Sequence, residues 1–517
     1  MWKSESKSKK VEWSKTGCSI MSDGWTDRRR RTLINFLVNS SKGAVFMEST
    51  DASSYMKTGE KVFELLDKFV EQVGESNVVQ VITDNGSNFK QAGNLLMDKR
   101  KHLFWTPCAA HCLDLMLEDV GKIPKVKQTI EKGIFLVGYI YNHCGVLNMM
   151  REFTKNKELT RSGVTRFATT YLTLQSLHKQ KSALRTMFNS DKWMESKWAK
   201  QPKGRRAKDV VQTYAFWTNV TFTLKVMGPI VRVLCLVDNE KKPEIGYLYE
   251  GMERAKITIA KALGENNVDY QVVSAIIDKR WDCQLHHPLH AAGYYFNPKF
   301  YCYRPEIEKD QEVTDGMIKC VQRLVPSKDK QDLIMKEMVK RAHCTIAPAQ
   351  WWSLYGKEVP NIQQLAMKVL SLTCCSSGCE RNWSTFEQIH SKKRNRLEYK
   401  KLQDLVFVKY NKTLKNRRDK EVVYDPISLD NIDDCNEWMT GRMEEERVFE
   451  DEDLTWEVVG DASGAGEVRA TRSSQPSSSR ALVDEDSLID DLDESEAEYA
   501  IDVDGSSDDQ FDDGLDD

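Results

Sequence analysis

The 517-residue chain has no apolar run near the ~18 to 20 residues that cross a bilayer, and even Gly228 to Val237 is interrupted by Arg232. No membrane partner is expected. The amino terminus, Met1 to Lys10, is lysine-rich with no apolar stretch behind it, so no secretory leader is expected and an intracellular chain is. Thirteen cysteines in a chain of this length, some adjacent like Cys374 and Cys375, fit reduced core thiols better than a disulfide framework. Lysine and arginine are absent after Arg480, where seventeen carboxylates crowd between Asp484 and Asp517. Residues 1–480 then hold 75 basic against 61 acidic side chains, a formal +14 hidden beneath an overall charge of -3. Such a body attracts polyanions, because each phosphate it neutralises releases counterions, and nucleic acid is the first partner implied.

At ~100 to 200 residues per domain the length predicts two or three folded units. Cys18 to Ser22, Thr32 to Asn39 and Val45 to Ser49 are short β-rich runs separated by turns. Gly59 to Val73 repeats apolar residues at helical spacing and leads into the buried run Val78 to Thr83. Asn88 to Lys99 reads as helix, Leu103 to Thr106 as a short strand and Cys108 to Val120 as helix, giving βββαβαβα. Three antiparallel strands followed by alternating helices and parallel strands are the order of a ribonuclease H-like mixed sheet, an α/β fold.

Strand signals vanish from about Gly121 to Pro360, which reads as a large all-α insertion, with Gln201 to Lys208 composed like an exposed basic loop. Pro360 opens a helix with Ile362, Leu365, Ala366, Val369 and Leu370 on one face. Two further helical segments follow, one with Trp383, Phe386 and Ile389 and one starting at Tyr399. The acidic stretch 430–517, with Gly and Ser enriched over 460–480, reads as a largely disordered tail. Its alternation of acids with Leu488, Ile489, Tyr499 and Phe511 suits a segment that contacts nuclear protein partners or shields the basic body.

Asp23, in Ser-Asp-Gly-Trp-Thr-Asp, and Asp84, in Thr-Asp-Asn-Gly-Ser-Asn, each end an apolar strand. If those strands are neighbours, both carboxylates project at one sheet edge, where hard oxygen ligands hold Mg²⁺. A metal pair would activate the attacking oxygen and stabilise the leaving one in phosphodiester chemistry. Asp-Gly and Asp-Asn-Gly are also ordinary turn sequences. A third acid must come from a distant helix, and spacing alone leaves Glu380 and Glu387, two helical turns apart, as candidates. Cys108, His111 and Cys112 lack a fourth ligand at finger spacing, so no structural zinc is expected. Cys283, His286, His287 and His290 are interrupted by Pro288 and read as packing residues.

Ser-Asp-Gly-Trp-Thr, Thr-Asp-Asn-Gly-Ser-Asn, Cys-Ala-Ala-His and Ser-Gly-Cys-Glu-Arg-Asn-Trp-Ser occur in an order that resembles the hAT transposase superfamily, plant type, over most of residues 15–412. The first part resembles the domain of unknown function that opens many such proteins, and residues 348–412 resemble their C-terminal dimerisation region. The resemblance implies a ribonuclease H-like core begun by residues 11–120, interrupted by a helical insertion over 121–347 and completed by 348–412. It carries the acidic triad onto Asp23, Asp84 and Glu380, with Mg²⁺ or Mn²⁺ as cofactor if the chain is active. It also implies that Cys108 and His111 sit beside the acids and help position DNA. Arg166 and Phe167 match a family Thr-Arg-Trp with Phe replacing Trp, and would contact DNA near the transposon end.

Many relatives carry an N-terminal BED-type zinc finger, and nothing upstream of Val11 supplies its ligands. DNA contact is then expected through basic surfaces such as Arg28 to Arg31, Lys203, Arg205, Arg206, and Lys392, Lys393, Arg394 and Arg396, the last group also resembling a nuclear import patch. Two functions follow. One is a DNA-cleaving and strand-transferring transposase that forms a homodimer or higher oligomer. The other is a domesticated, catalytically silent nuclear protein that dimerises and binds DNA. Ile362, Leu365 and Val369 are the expected dimer contacts.

Overall fold

The computed structural model describes residues 10–26, 31–53, 58–161, 167–238, 244–301, 304–337, 348–389 and 398–419. Arg166, Lys392, Lys393, Arg394, Arg396, most of Arg28 to Arg31 and the whole acidic tail lie outside the described residues. The protein is an α/β chain, mostly helical, built around one mixed five-stranded sheet in the order β3-β2-β1-β4-β5. The strands are β1 (Cys18–Thr26), β2 (Thr32–Ser40), β3 (Gly43–Asp51), β4 (Val78–Thr83) and β5 (Phe104–Pro107). β1 to β3 form an antiparallel meander, and β4 then joins β1 in parallel, with Ile20 opposite Val81 and Met21 opposite Ile82. β5 extends the parallel half.

Alternation along the strands gives the sheet two apolar faces. Ile34, Phe36 and Val38 of β2 join Ile20 and Val81 against α1 (Gly59–Val73) and α2 (Ser87–Lys99). Leu33 and Leu37 join Met21, Ile82 and Phe46 on the opposite face, which packs on α3 (Ala109–Gly121) and continues into the helical domain. Period-two patterning with apolar residues on both sides is what a sheet covered by helices on both faces requires. α2 lies so close to β5 that a Cβ at Gly93 would stand 2.2 Å from the Trp105 ring, so only glycine fits there.

Among the described residues 121–360 hold no strand, as the sequence pattern predicts. Their central helix, α4 (Tyr214–Val237), corrects one expectation, because it is long and apolar enough to cross a membrane by length and composition. Over that window 78% is buried inside the protein, where α4 packs on α3, Pro124–Asn142, Phe167–Lys179 and Leu248–Leu263. Its apolar character is that of a core helix surrounded by other helices. Residues 201–208 are a second correction: the segment is helical, within Pro202–Gln212, not a loop. Pro202 occupies its first turn, and Ala207, Val210 and Val211 recur at i, i+3 and i+4 on the buried side.

After the helical domain come α5 (Pro360–Leu370), α6 (Ser377–Ile389) and α7 (Tyr399–Asp419). α6 and α7 return to the sheet. α6 crosses β1 and β2, and α7 packs on edge strand β3. The Asn411 side chain of α7 accepts from Phe46 N–H at 3.0 Å and donates to Phe46 C=O at 2.9 Å, covering an otherwise open strand edge.

Ile362, Leu365 and Val369 of α5 require the third correction. They are 3, 3 and 0% exposed, packed within this chain among the helices Pro288–Phe296, Lys328–Glu337 and Pro348–Tyr355. The apolar stripe is intramolecular core and offers no surface to a second copy. Leu365→Ala is therefore expected to lower unfolding free energy by about 2 to 5 kcal/mol in urea titrations, with native sedimentation unchanged. A variant that instead dissociates without losing stability would return this side chain to an interface.

Candidate active site

β1 and β4 are parallel neighbours, so Asp23 near the end of β1 and Asp84 just after β4 emerge at the same sheet edge. Both are half-buried. Asp84 turns one carboxylate oxygen back to the Gly86 N–H at 3.3 Å, closing the Asp-Asn-Gly turn that starts α2. The turn and the site are thus one structure.

Glu380 stands in the first turn of α6 and reaches the same edge because the segment before it is anchored there. Cys108 N–H donates to Thr83 C=O at 2.7 Å, which fixes the start of α3 at the end of β4. Ala109 N–H donates to Cys374 C=O at 2.9 Å, and Cys108 Sγ accepts from Ser376 N–H at 3.2 Å. Tyr410 of α7 donates to Gly378 C=O at 2.7 Å. Arg381 grips Asp238, from Nη2 to its carbonyl at 2.7 Å and to its carboxylate at 2.8 Å. One helical turn along α6, Trp383 Nε1 donates to Asp23 Oδ2 at 2.8 Å, and its ring stacks on Trp25 with centroids 5.2 Å apart.

The three acids share one electrostatic environment. Burial pushes the Asp23 carboxyl up to about 7, the Trp383 N–H opposes that rise, and the charges of Glu380 and Asp84 add to it. Glu387 is exposed. Among the described residues no three His, Cys, Asp or Glu side chains converge closely enough to hold a metal ion. The oxygen donors suit Mg²⁺ or Mn²⁺ in kind, and their mutual repulsion calls for a cation, but they are not drawn onto one point.

Cys108 is 1% exposed, so it cannot touch DNA directly, which corrects that expectation. The thiol belongs to the anchor beneath the acids: a hydrogen bond from Cys375 holds Cys108 below its ordinary pKa despite burial, and the same bond pushes Cys375 well up. His111, half-buried in the first turn of α3, stays partly open to solvent. Phe167 begins the helix Phe167–Lys179. Lys203, Arg205 and Arg206 are exposed on Pro202–Gln212, with the Arg206 guanidinium 4.3 Å over the Phe135 ring. Cys283 is exposed, whereas His290 is fully buried, hydrogen-bonded to Leu285 C=O at 2.8 Å and lowered to about 4 by burial.

Several residues of the site carried no sequence signal of their own. Trp383 read only as an apolar helix position, and Trp25 as part of a turn motif. Asn35, directly opposite Asp23 on β2, and Asn382 of α6 are each 0% exposed, and none of their four side-chain polar atoms has a hydrogen-bond partner. Each such buried group costs about 1 to 3 kcal/mol, so an Asn at either position is not explained by packing.

Two parts of the chain match known protein families. Residues 2–134 match a domain of unknown function, DUF659, and residues 330–412 match the hAT family C-terminal dimerisation region. The chain is a hAT-family transposase-like protein. No curated protein matches it. The two matched segments of this transposase-like chain are the two that meet at the acids, the first supplying Asp23 and Asp84 and the second Glu380. The dimerisation region gives the protein a homo-oligomerising role, and its exposed apolar residues are Leu333, Met335, Leu354, Tyr355, Leu405 and Val408, not the buried stripe of α5.

In metal-free protein Asp23 binds its proton more tightly when folded, about 7 against ~3.9 for an unfolded carboxyl. The folded state then holds more protons between those values, so this group's contribution to stability falls as pH rises from ~4 toward 7. Asp23→Asn stays neutral and escapes that loss. Its melting temperature relative to wild type, measured with chelator present, should rise from pH 5 to pH 8, and a difference independent of pH would contradict the assigned environment.

Proposed function

We propose that this protein is a DNA-binding, dimeric hAT-type transposase whose Asp23, Asp84 and Glu380 form a metal-dependent DNA-cleaving site. The observation that carries the reading is that Asp23 senses both other acids, although Glu380 lies 357 positions along the chain. The strand order β3-β2-β1-β4-β5, with a helical insertion before the helix that bears Glu380, supports a ribonuclease H-like core.

Asp23, Asp84 and Glu380 would hold Mg²⁺ or Mn²⁺, which supplies charge neutralisation at phosphorus and a more acidic attacking oxygen. The chain's own part is placement. The Trp383 N–H fixes one oxygen of Asp23, the Cys108–Ser376 contact fixes the start of α6, and the basic body, including Lys203, Arg205 and Arg206, draws the phosphate backbone in. The chemistry is attack on phosphorus by water, breaking one P–O ester bond and leaving a 3′-hydroxyl that can attack a second strand. No covalent protein intermediate is needed. The basic cluster at residues 392–396 supports nuclear import, and the composition of 430–517 supports a disordered tail that meets nuclear partners.

A second reading is a silent DNA-binding dimer, favoured by the failure of the acids to converge at ligand distance among the described residues. One experiment separates the two. Purified protein with supercoiled and terminal-repeat DNA should nick it when Mn²⁺ or Mg²⁺ is added, and Asp84→Asn should abolish nicking while leaving DNA binding within about twofold. DNA binding and dimerisation without nicking under either metal would establish the silent reading. Nicking that survives Asp84→Asn would remove the acids from the chemistry.

A further inference from the structure

Asp23 and Asn35 face each other across the β1–β2 ladder, so their side chains leave the same sheet face with Cβ atoms about 4.5 to 5.5 Å apart. α6 covers that face. Its Trp383 sits over Asp23 and Trp25 of β1, and its Phe386 meets the Phe46 ring of β3 at 6.3 Å, so α6 crosses above β2. Asn382 precedes Trp383 and lies one turn before Phe386, on the buried side of the helix. Two fully buried carboxamides therefore lie in the same seam as Asp23, one on the strand and one on the helix, with every side-chain polar atom unpaired.

We propose that Asn35 and Asn382 are positioning residues for Asp23, a carboxamide relay that hydrogen-bonds in series to its carboxylate when a divalent cation draws the three acids together. This rests on the metal-dependent reading above. A carboxamide both donates and accepts, so Asn382 can satisfy Asn35 and leave the Asn35 NH₂ for Asp23. Trp383 Nε1 already occupies Asp23 Oδ2, and a donor from β2 would fix the carboxylate plane from a second side. The unpaired amides of the open arrangement become paired in the closed one, which favours closure around the ion. Leucine has nearly the same volume and would leave the open arrangement undisturbed.

The test uses the full chain, with Mn²⁺ binding measured by calorimetry and thermal unfolding measured in chelator. Asn35→Leu and Asn382→Leu are expected to melt at or above the wild-type temperature, since each removes unpaired buried groups, yet to weaken Mn²⁺ binding about 10- to 100-fold. Asn35→Ser, which retains a donor, should recover part of that loss and serves if the leucine variant fails to fold. Mn²⁺ affinity unchanged in the asparagine variants but lost in Asp84→Asn would overturn the relay and leave the metal site standing. Wild-type protein that binds no Mn²⁺ would overturn both.

Discussion

The start of α6 is clamped to the start of α3, and the candidate site exists only because of that clamp. Cys108 Sγ accepts the Ser376 N–H while Ala109 N–H reaches Cys374 C=O, joining stretches 268 and 265 positions apart. Cys108 in turn hangs from Thr83 C=O at the end of β4. A hydrogen bond to a thiolate-like sulfur at a buried point is strong only while water is excluded, and here Cys374, Cys375 and Cys379 enclose it. Without this junction Glu380 would have no fixed relation to Asp23 or Asp84.

The second constraint is electrostatic. Three acids share one sheet edge in a chain whose first 480 residues are basic overall, so their repulsion is a local property held in place by surrounding structure. The Trp383 N–H and the Arg381 grip on Asp238 set α6 from both sides of Glu380. The helix is placed by contacts on each flank of its acid, so the acid's own side chain remains available to the site. A polar seam of Asp23, Asn35 and Asn382 under an otherwise apolar helix is what a site retains when function opposes packing.

Much of the sheet domain was legible before folding was considered. Gly59 to Val73 and Val78 to Thr83 have the ends that periodicity assigned, and the three opening strands were placed correctly but drawn shorter than they are. Local burial leaves a period of 2 or 3.6 in the residues themselves. Residues 201–208 were misread because six polar or charged residues mask the buried side formed by Ala207, Val210 and Val211. α4 was misread as too short of apolar residues because Arg232 interrupts it, although that arginine is itself buried within the helical domain.

The sequence by itself determined the order of strands, the helix starts, the acids at two strand ends and the charge that favours polyanions, because each is written in neighbouring residues. It could not decide whether the α5 stripe faces its own core or a second copy, since an apolar face looks the same in either setting. Nor could it pair Trp383 with Asp23, choose Glu380 over the exposed Glu387 or reveal two unpartnered asparagines beside the acid. Those facts depend on which distant segments meet, and only the closed tertiary structure, in which burial and hydrogen bonding are satisfied together, decides that.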